Sequence, residues 1–196
     1  MKALNVAVMI VAAAGIGWAG EKIPARERKV TVCIDPGAYA LQVKDAQQLA
    51  SRLFATIGVK IEWHERHFCP AGGNAVQVRL SDRTPDYQLP GSLAYALPYE
   101  GSEIVLFYDR IRIANASLVT CLTAYVLVHE ITHILEGVDR HSAEGIMKAH
   151  WDRVDRFAMQ LGRLSFSPVD VDLISRGLDK RESPNAVATT PVAAER

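Results

Sequence analysis

The chain predicts an α+β fold, with short strands and one helix in its first half, a long apolar helix near residue 120 and shorter helices after it. Three observations carry that expectation. Apolar runs that alternate with polar residues or stand unbroken between Pro, Gly and Asn recur between residues 29 and 108, as strands do. Two segments, 44–58 and 117–136, repeat apolar residues at helical spacing. Of the 196 residues 49% are hydrophobic and 22% charged, enough for one domain with a real core.

The first twenty residues, MKALNVAVMIVAAAGIGWAG, carry one Lys, then an uncharged apolar stretch, then small residues suited to cleavage near Ala19 or Gly20. They read as a secretory signal that leaves the mature protein secreted or periplasmic, with no stable membrane insertion after cleavage. An uncleaved anchor is the alternative, against which the stretch is rich in Ala and Gly and barely long enough to span a bilayer. A single domain is expected over 28–178.

KVTVCID (29–35) reads as a buried strand closed by Pro36 and Gly37. In KDAQQLASRLFATIG the residues Ala46, Leu49, Ala50, Leu53, Phe54 and Ile57 recur at helical spacing, and Gly58 is placed to end the run. VKIEWH (59–64) and AVQVRLS (75–81) alternate like half-buried strands around the loop CPAGGN. Ser92–Tyr99 reads as a strand whose flanking prolines favour a sheet edge, and Glu103–Tyr108 as the next strand.

From Asn115 or Ser117, either of which could cap it, a helix runs through LVTCLTAYVLVHEITHILE and stops at Gly137. It is apolar almost all round and therefore central. Trp151, Val154, Ala158 and Leu161 suggest a further helix, and SPVD (167–170) opens a last one with Ser167 as cap and Pro168 in the first turn. Residues 179–196 are polar, lack periodicity and read as a disordered tail.

Charge excludes one class of partner. Lys plus Arg equals Asp plus Glu at 22 each, and no basic face carries interleaved aromatics, so nucleic acid is not expected. Export permits disulfides. Of the three cysteines, Cys33 in a strand and Cys69 in a loop could pair, while Cys121 in the apolar helix reads as a buried thiol. Their spacing fits no zinc ribbon, so any metal argument falls to the histidines.

His129 and His133 stand four apart on the long helix, so both imidazoles leave one face about one turn apart, as two ligands of one zinc require. Glu130, beside the first, is placed to act on a water molecule without binding the metal, the general-base position of H-E-x-x-H peptidases. Zinc brings the pKa of such a water to about 7, and Glu130 would take its proton as it attacks a carbonyl carbon. Without a metal, two imidazoles and a carboxylate on an apolar helix would be buried polar groups at considerable cost. A third ligand is needed; His141 lies just past the Gly137 turn, Asp139 two residues nearer, and Asp152 or Asp155 further on.

HEITHILEGVDRHSAEGIM (129–147) resembles the metzincin signature H-E-x-x-H-x-x-G-x-x-H followed by a Met-turn, in the matrixin-like order of third His, Ser and then Met. The resemblance implies a zincin-like fold: a twisted mixed β-sheet, an active-site helix and a short helical C-terminal subdomain. It implies His129, His133 and His141 as zinc ligands, Glu130 as the base, Met147 as the Met-turn residue, and Leu93, Ala94, Tyr95 and Ala96 as the edge strand that binds a peptide or protein substrate. The activity implied is that of a zinc metallopeptidase. The family spacing, however, would put the third ligand at Asp139, with Gly where this chain has Glu136; His141 requires two extra residues in the turn, so Asp139 stays as a rival. Tyr95 also stands where matrixins often carry a structural-zinc His.

Two other readings share the motif: a zinc amidase acting on cell-wall peptides, and a non-catalytic binding protein closed by zinc. His64, His67 and His150 read as surface or loop residues, and Trp151 and Tyr99 as packing residues that could border a cleft.

Overall fold

The computed structural model describes residues 27–71, 74–97, 99, 102–114 and 116–183, so residues 1–20, read from the sequence as a signal, and the part of the expected tail beyond residue 183 lie outside the described residues. Five strands form one mixed sheet in the order β2-β1-β3-β5-β4: β1 (Arg28–Asp35), β2 (Val59–Glu65), β3 (Val76–Ser81), β4 (Ala94–Ala96) and β5 (Glu103–Phe107). β1, β2, β3 and β5 run parallel, and β4 is antiparallel to β5 at the edge. Parallel neighbours need a crossover, and between β1 and β2 it is α1 (Ala40–Ala55). This helix starts four residues before the expected Lys44, and the chain reverses beyond it at Gly58, whose φ of 74° suits glycine.

β5 passes straight into α2 (Tyr108–Ala114), a helix the sequence pattern does not announce because YDRIRIA alternates like a strand. Asp109 in its first turn accepts from the backbone nitrogen and hydroxyl of Thr84, at 3.0 and 2.8 Å. α3 (Val119–Glu136) is the buried centre of the fold, packed against α1, α5 and the β4–β5 edge. Ala116–Glu136 is long and apolar enough to cross a bilayer, yet here it is the core helix. The expected side-chain cap is not the one used: the helix is entered through a 3₁₀ turn, with Leu118 at the cap position and no side-chain capping bond. Its end is as expected, with Gly137 left-handed at φ 69° and its nitrogen donating to His133 O at 2.9 Å.

The edge strand is shorter than the expected Ser92–Tyr99. Only Ala94–Ala96 form the ladder, with single outlying bonds at Leu93 O and Leu97 N. The turn at Pro90 and Gly91 precedes it, and Pro98 follows with no N–H to donate. After α3, α4 (Arg153–Gln160) excludes Trp151 and Leu161; of the residues that announce it, Ala158 and the preceding Trp151 pack against the core while Val154 and Leu161 are exposed, and Met159 is its buried residue. An Asp152–Asp155 capping box holds its start. α5 (Pro168–Glu182) begins at Ser167 as expected and continues past residue 178, four residues into the segment whose composition suggests a tail. Cys33, fully buried on β1, is disulfide-bonded to Cys69 in the loop after β2. Cys121 is half-buried rather than buried, bordering a surface hollow with Asp45, Arg52 and Thr120.

Candidate metal centre

The helix face carrying His129 and His133 opens into a cleft of about 1020 Å³ between α3, the β4 edge and the segment 148–151. His129, Glu130, His133, Asp139, His141 and Trp151 all line it, as do Leu93, Ala94, Tyr95 and Ala96. The ring nitrogens of His129, His133 and His141 that could ligate a metal lie within 4.8 Å of one another.

Second partners fix the two helical rings. A carbonyl oxygen only accepts, so the nitrogen facing it carries the proton. Nδ1 of His129 faces Ile146 O at 2.9 Å and Nδ1 of His133 faces Val138 O at 3.3 Å. Both Nε2 atoms are therefore bare in the neutral rings, yet they sit 3.1 Å apart with lone pairs converging. A proton shared between them is disfavoured: burial, aided by the other ring, pushes His129 down to about 3, and burial and His141 lower His133. What relieves two converging lone pairs is a Lewis acid. Nitrogens bound at 2.0–2.1 Å to a tetrahedral zinc stand about 3.3 Å apart, so the pair fits. The three-histidine group can bind zinc with no rearrangement of the helix.

Glu130 is buried in the same cleft. Burial first, and the charge of Asp139 second, push its carboxyl up to about 8. Asp139 is exposed and lies outside the three-histidine group; its backbone nitrogen donates to the hydroxyl of Tyr99 at 3.1 Å. Tyr99 is thus a largely exposed residue tying the turn that follows β4 to the turn after α3, not a packing residue. Trp151 sets its ring edge-on to His129, with centroids 5.4 Å apart, and its Nε1 donates at 3.2 Å to the Ile146 carbonyl that also receives His129.

Met147 is fully buried, and its carbonyl accepts from Ser142 N at 2.7 Å, closing the loop between them. Of the other candidates, His64 and His67 lie outside the cleft, exposed His150 lines it, and Asp152 and Asp155 are spent on the α4 cap and on Lys148.

Sequence reasoning missed the residues that hold this turn. Asp170, fully buried on α5, accepts from Arg140 Nη2 at 2.5 Å and Ser142 Oγ at 2.6 Å, the neighbours of His141 on either side. Its other oxygen accepts from Ser167 N and Oγ at 2.9 and 2.7 Å. The Ser167–Asp170 spacing announces a capping box; the reach to Arg140 is tertiary and leaves no mark in the sequence.

The sheet order, the central helix and the turn beneath it allow comparison with known proteins. A crystal structure of an archaemetzincin from Methanopyrus kandleri superposes with a TM-score of 0.51 at 16% identity, over 80% of this chain and 99% of that one. The fold is that of the archaemetzincins. A second archaemetzincin, from Archaeoglobus fulgidus and complexed with malonate, aligns over 74% of this chain and 99% of its own, at 14% identity and a TM-score of 0.46. No family model and no curated protein sequence matches the chain.

Proposed function

We propose that the protein is an exported zinc metallopeptidase in which His129, His133 and His141 hold the metal and Glu130 is the general base. The observation that carries this reading is the pair of bare Nε2 atoms 3.1 Å apart, each fixed by a carbonyl at its other nitrogen and joined by His141. An acid in the base position argues against a purely structural site, which has no use for one. The archaemetzincin fold and the signal-like N-terminus support the remaining two parts, peptidase chemistry and export.

Zinc, when bound, supplies Lewis acidity, polarising a carbonyl and bringing the pKa of a water molecule to about 7. The chain's own groups do the rest. The antiparallel edge of β4 can pair with an extended peptide through main-chain hydrogen bonds, which set register with little demand on sequence. Glu130 accepts the proton of the attacking water at its carboxylate and returns it to the departing amine. Trp151 and the Ile146 carbonyl hold His129 in one orientation, and Asp170, through Arg140 and Ser142, does the same for the turn that carries His141.

The test is cleavage of a mixed peptide library by the purified mature protein, with zinc content determined, beside Glu130→Ala. We expect the wild type to cut and the variant to retain zinc while losing about 10²-fold or more in rate. If both bind zinc and neither cuts, the reading falls, and turnover of cell-wall peptides then separates the amidase from a non-catalytic zinc protein.

A further inference from the structure

Three basic side chains, Arg110, Lys148 and Arg156, line the cleft that holds the histidines. Two are occupied within the fold. Arg110 Nη1 donates to Leu89 O and Ser92 O at 2.6 and 3.0 Å, holding the turn ahead of β4. Lys148 Nζ lies 2.8 Å from Asp152 and 2.6 Å from Asp155.

Arg156 is different. It is half-buried on α4, and among the described residues its guanidinium meets no carboxylate and no carbonyl. A counter-charge stands at the favoured helical spacing, for Asp152 is four residues back. That carboxylate is already consumed, by Lys148 on one oxygen and by the Val154 and Asp155 backbone nitrogens on the other. Asp155 is turned to Lys148 and Asp152 N, both on one oxygen, and makes no ion pair with Arg156. The two acids beside Arg156 are thus engaged with other groups, leaving a half-buried arginine unpaired on the wall of an open cleft. Such a group gains most from a carboxylate, which its planar fork can engage with two parallel hydrogen bonds.

The balance of charge in the cleft points the same way. Glu130 and Asp139 are the acids lining it. Even with both acids counted as ionised and Lys148 set against its aspartates, Arg110 and Arg156 offset the acids of the cleft wall, so a bound dication makes the cleft positive on a chain whose formal net charge is zero.

We propose that Arg156 is a carboxylate-binding subsite of the cleft, which selects peptides bearing an acidic side chain or a free C-terminal carboxylate. The proposal rests on the peptidase reading for its substrate class, and its test is built on binding so that the two can fail separately. Zinc-loaded Glu130→Gln protein, which should hold peptides without turning them over, is titrated with fluorescent peptides of one sequence carrying Glu or Gln internally and a C-terminal acid or amide. We expect the carboxylate peptides to bind about tenfold tighter than their neutral counterparts, with the advantage shrinking as salt is raised.

Adding Arg156→Gln should abolish that advantage while leaving neutral-peptide affinity, zinc content and thermal stability unchanged, and Arg156→Lys should restore part of it. An advantage that follows Glu assigns an acidic side chain to the subsite; one that follows the C-terminal acid assigns a chain end. Equal affinity for charged and neutral peptides, an advantage that survives Arg156→Gln, or no binding of any of the peptides overturns the proposal. A carboxylate preference that depends on Arg156 in a protein whose wild type cuts nothing leaves the subsite standing and removes the peptidase reading.

Discussion

Glu136 lends itself to a pH experiment whose sign is unusual for a carboxylate. It occupies the position where the metzincin pattern has Gly, its side chain has no solvent exposure, and neither oxygen accepts a hydrogen bond. Arg140 Nε lies 3.5 Å away. Burial pushes the carboxyl up to about 7, Arg140 opposing the rise and Asp170 adding to it. A carboxyl raised in the folded state holds a proton that the unfolded chain has given up, so metal-free protein loses stability as pH climbs from about 4.5 to about 7. That span, at about 1.4 kcal/mol per pH unit, is worth about 3 kcal/mol at most. Arg140 is 28% exposed, and solvent screening through it brings the expectation to between about 1 and 3 kcal/mol.

The assay is urea denaturation of the metal-free wild type and Glu136→Gln from pH 5 to 8. His129 and His133 act with the opposite sign, because their lowered pKa values make the folded state shed protons first, and Glu130 acts with the same sign as Glu136. Those groups are common to both proteins, so the difference between the two curves reports residue 136. The variant should gain on the wild type as pH rises and the gain should level off above pH 7. A difference that does not change with pH refutes the assignment of Glu136 as a buried carboxyl that resists ionisation.

The turn after α3 offers a double-mutant test: Asp170→Asn should weaken zinc binding about 10- to 100-fold by chelator competition, and the loss should vanish in a His141→Ala background. Persistence of the loss there refutes a role for Asp170 through His141, and zinc lost from Asp139→Ala but kept by His141→Ala makes Asp139 the third ligand. Gly177→Ala should destabilise by about 3 kcal/mol or more in urea, because the added Cβ would stand 1.7 Å from Leu135 O where α5 crosses α3. The same substitution at an open helical site would stabilise by up to about 1 kcal/mol, so the sign alone is informative. Replacing Cys33 and Cys69 by Ala removes a crosslink between residues 36 apart and should cost about 4 kcal/mol, seen as a lower urea midpoint that reductant no longer shifts.

Much of the fold was legible because burial is written in periodicity. β1 is buried between β2 and β3 and reads as an apolar run broken only by Thr31, and α3, buried on nearly every side, is apolar almost all round. The failures fall where tertiary contacts override local pattern. YDRIRIA alternates like a strand yet is helical, because Tyr108 and Ile111, three apart, are the residues the core takes, while Arg110, Arg112 and Ile113 face away from it. Val154 and Leu161 have the spacing of a buried helical face, yet α4 is anchored by its polar cap and Met159 instead.

The site divides in the same way. His129, Glu130 and His133 were legible because their relation is local: four residues on a helix fix one geometry whatever surrounds them. His141 lies beyond a turn two residues longer than the metzincin pattern, and no spacing rule says where a longer turn delivers the side chain that follows it. What brings His141 back toward the helical pair is held from 30 residues downstream, where Asp170 receives both Arg140 and Ser142. A carboxylate with no solvent exposure that accepts four hydrogen bonds is among the least movable groups in a protein. A turn two residues longer is thus clamped on both sides of His141. Arg140 and Ser142, which flank His141, are thereby both tied to α5.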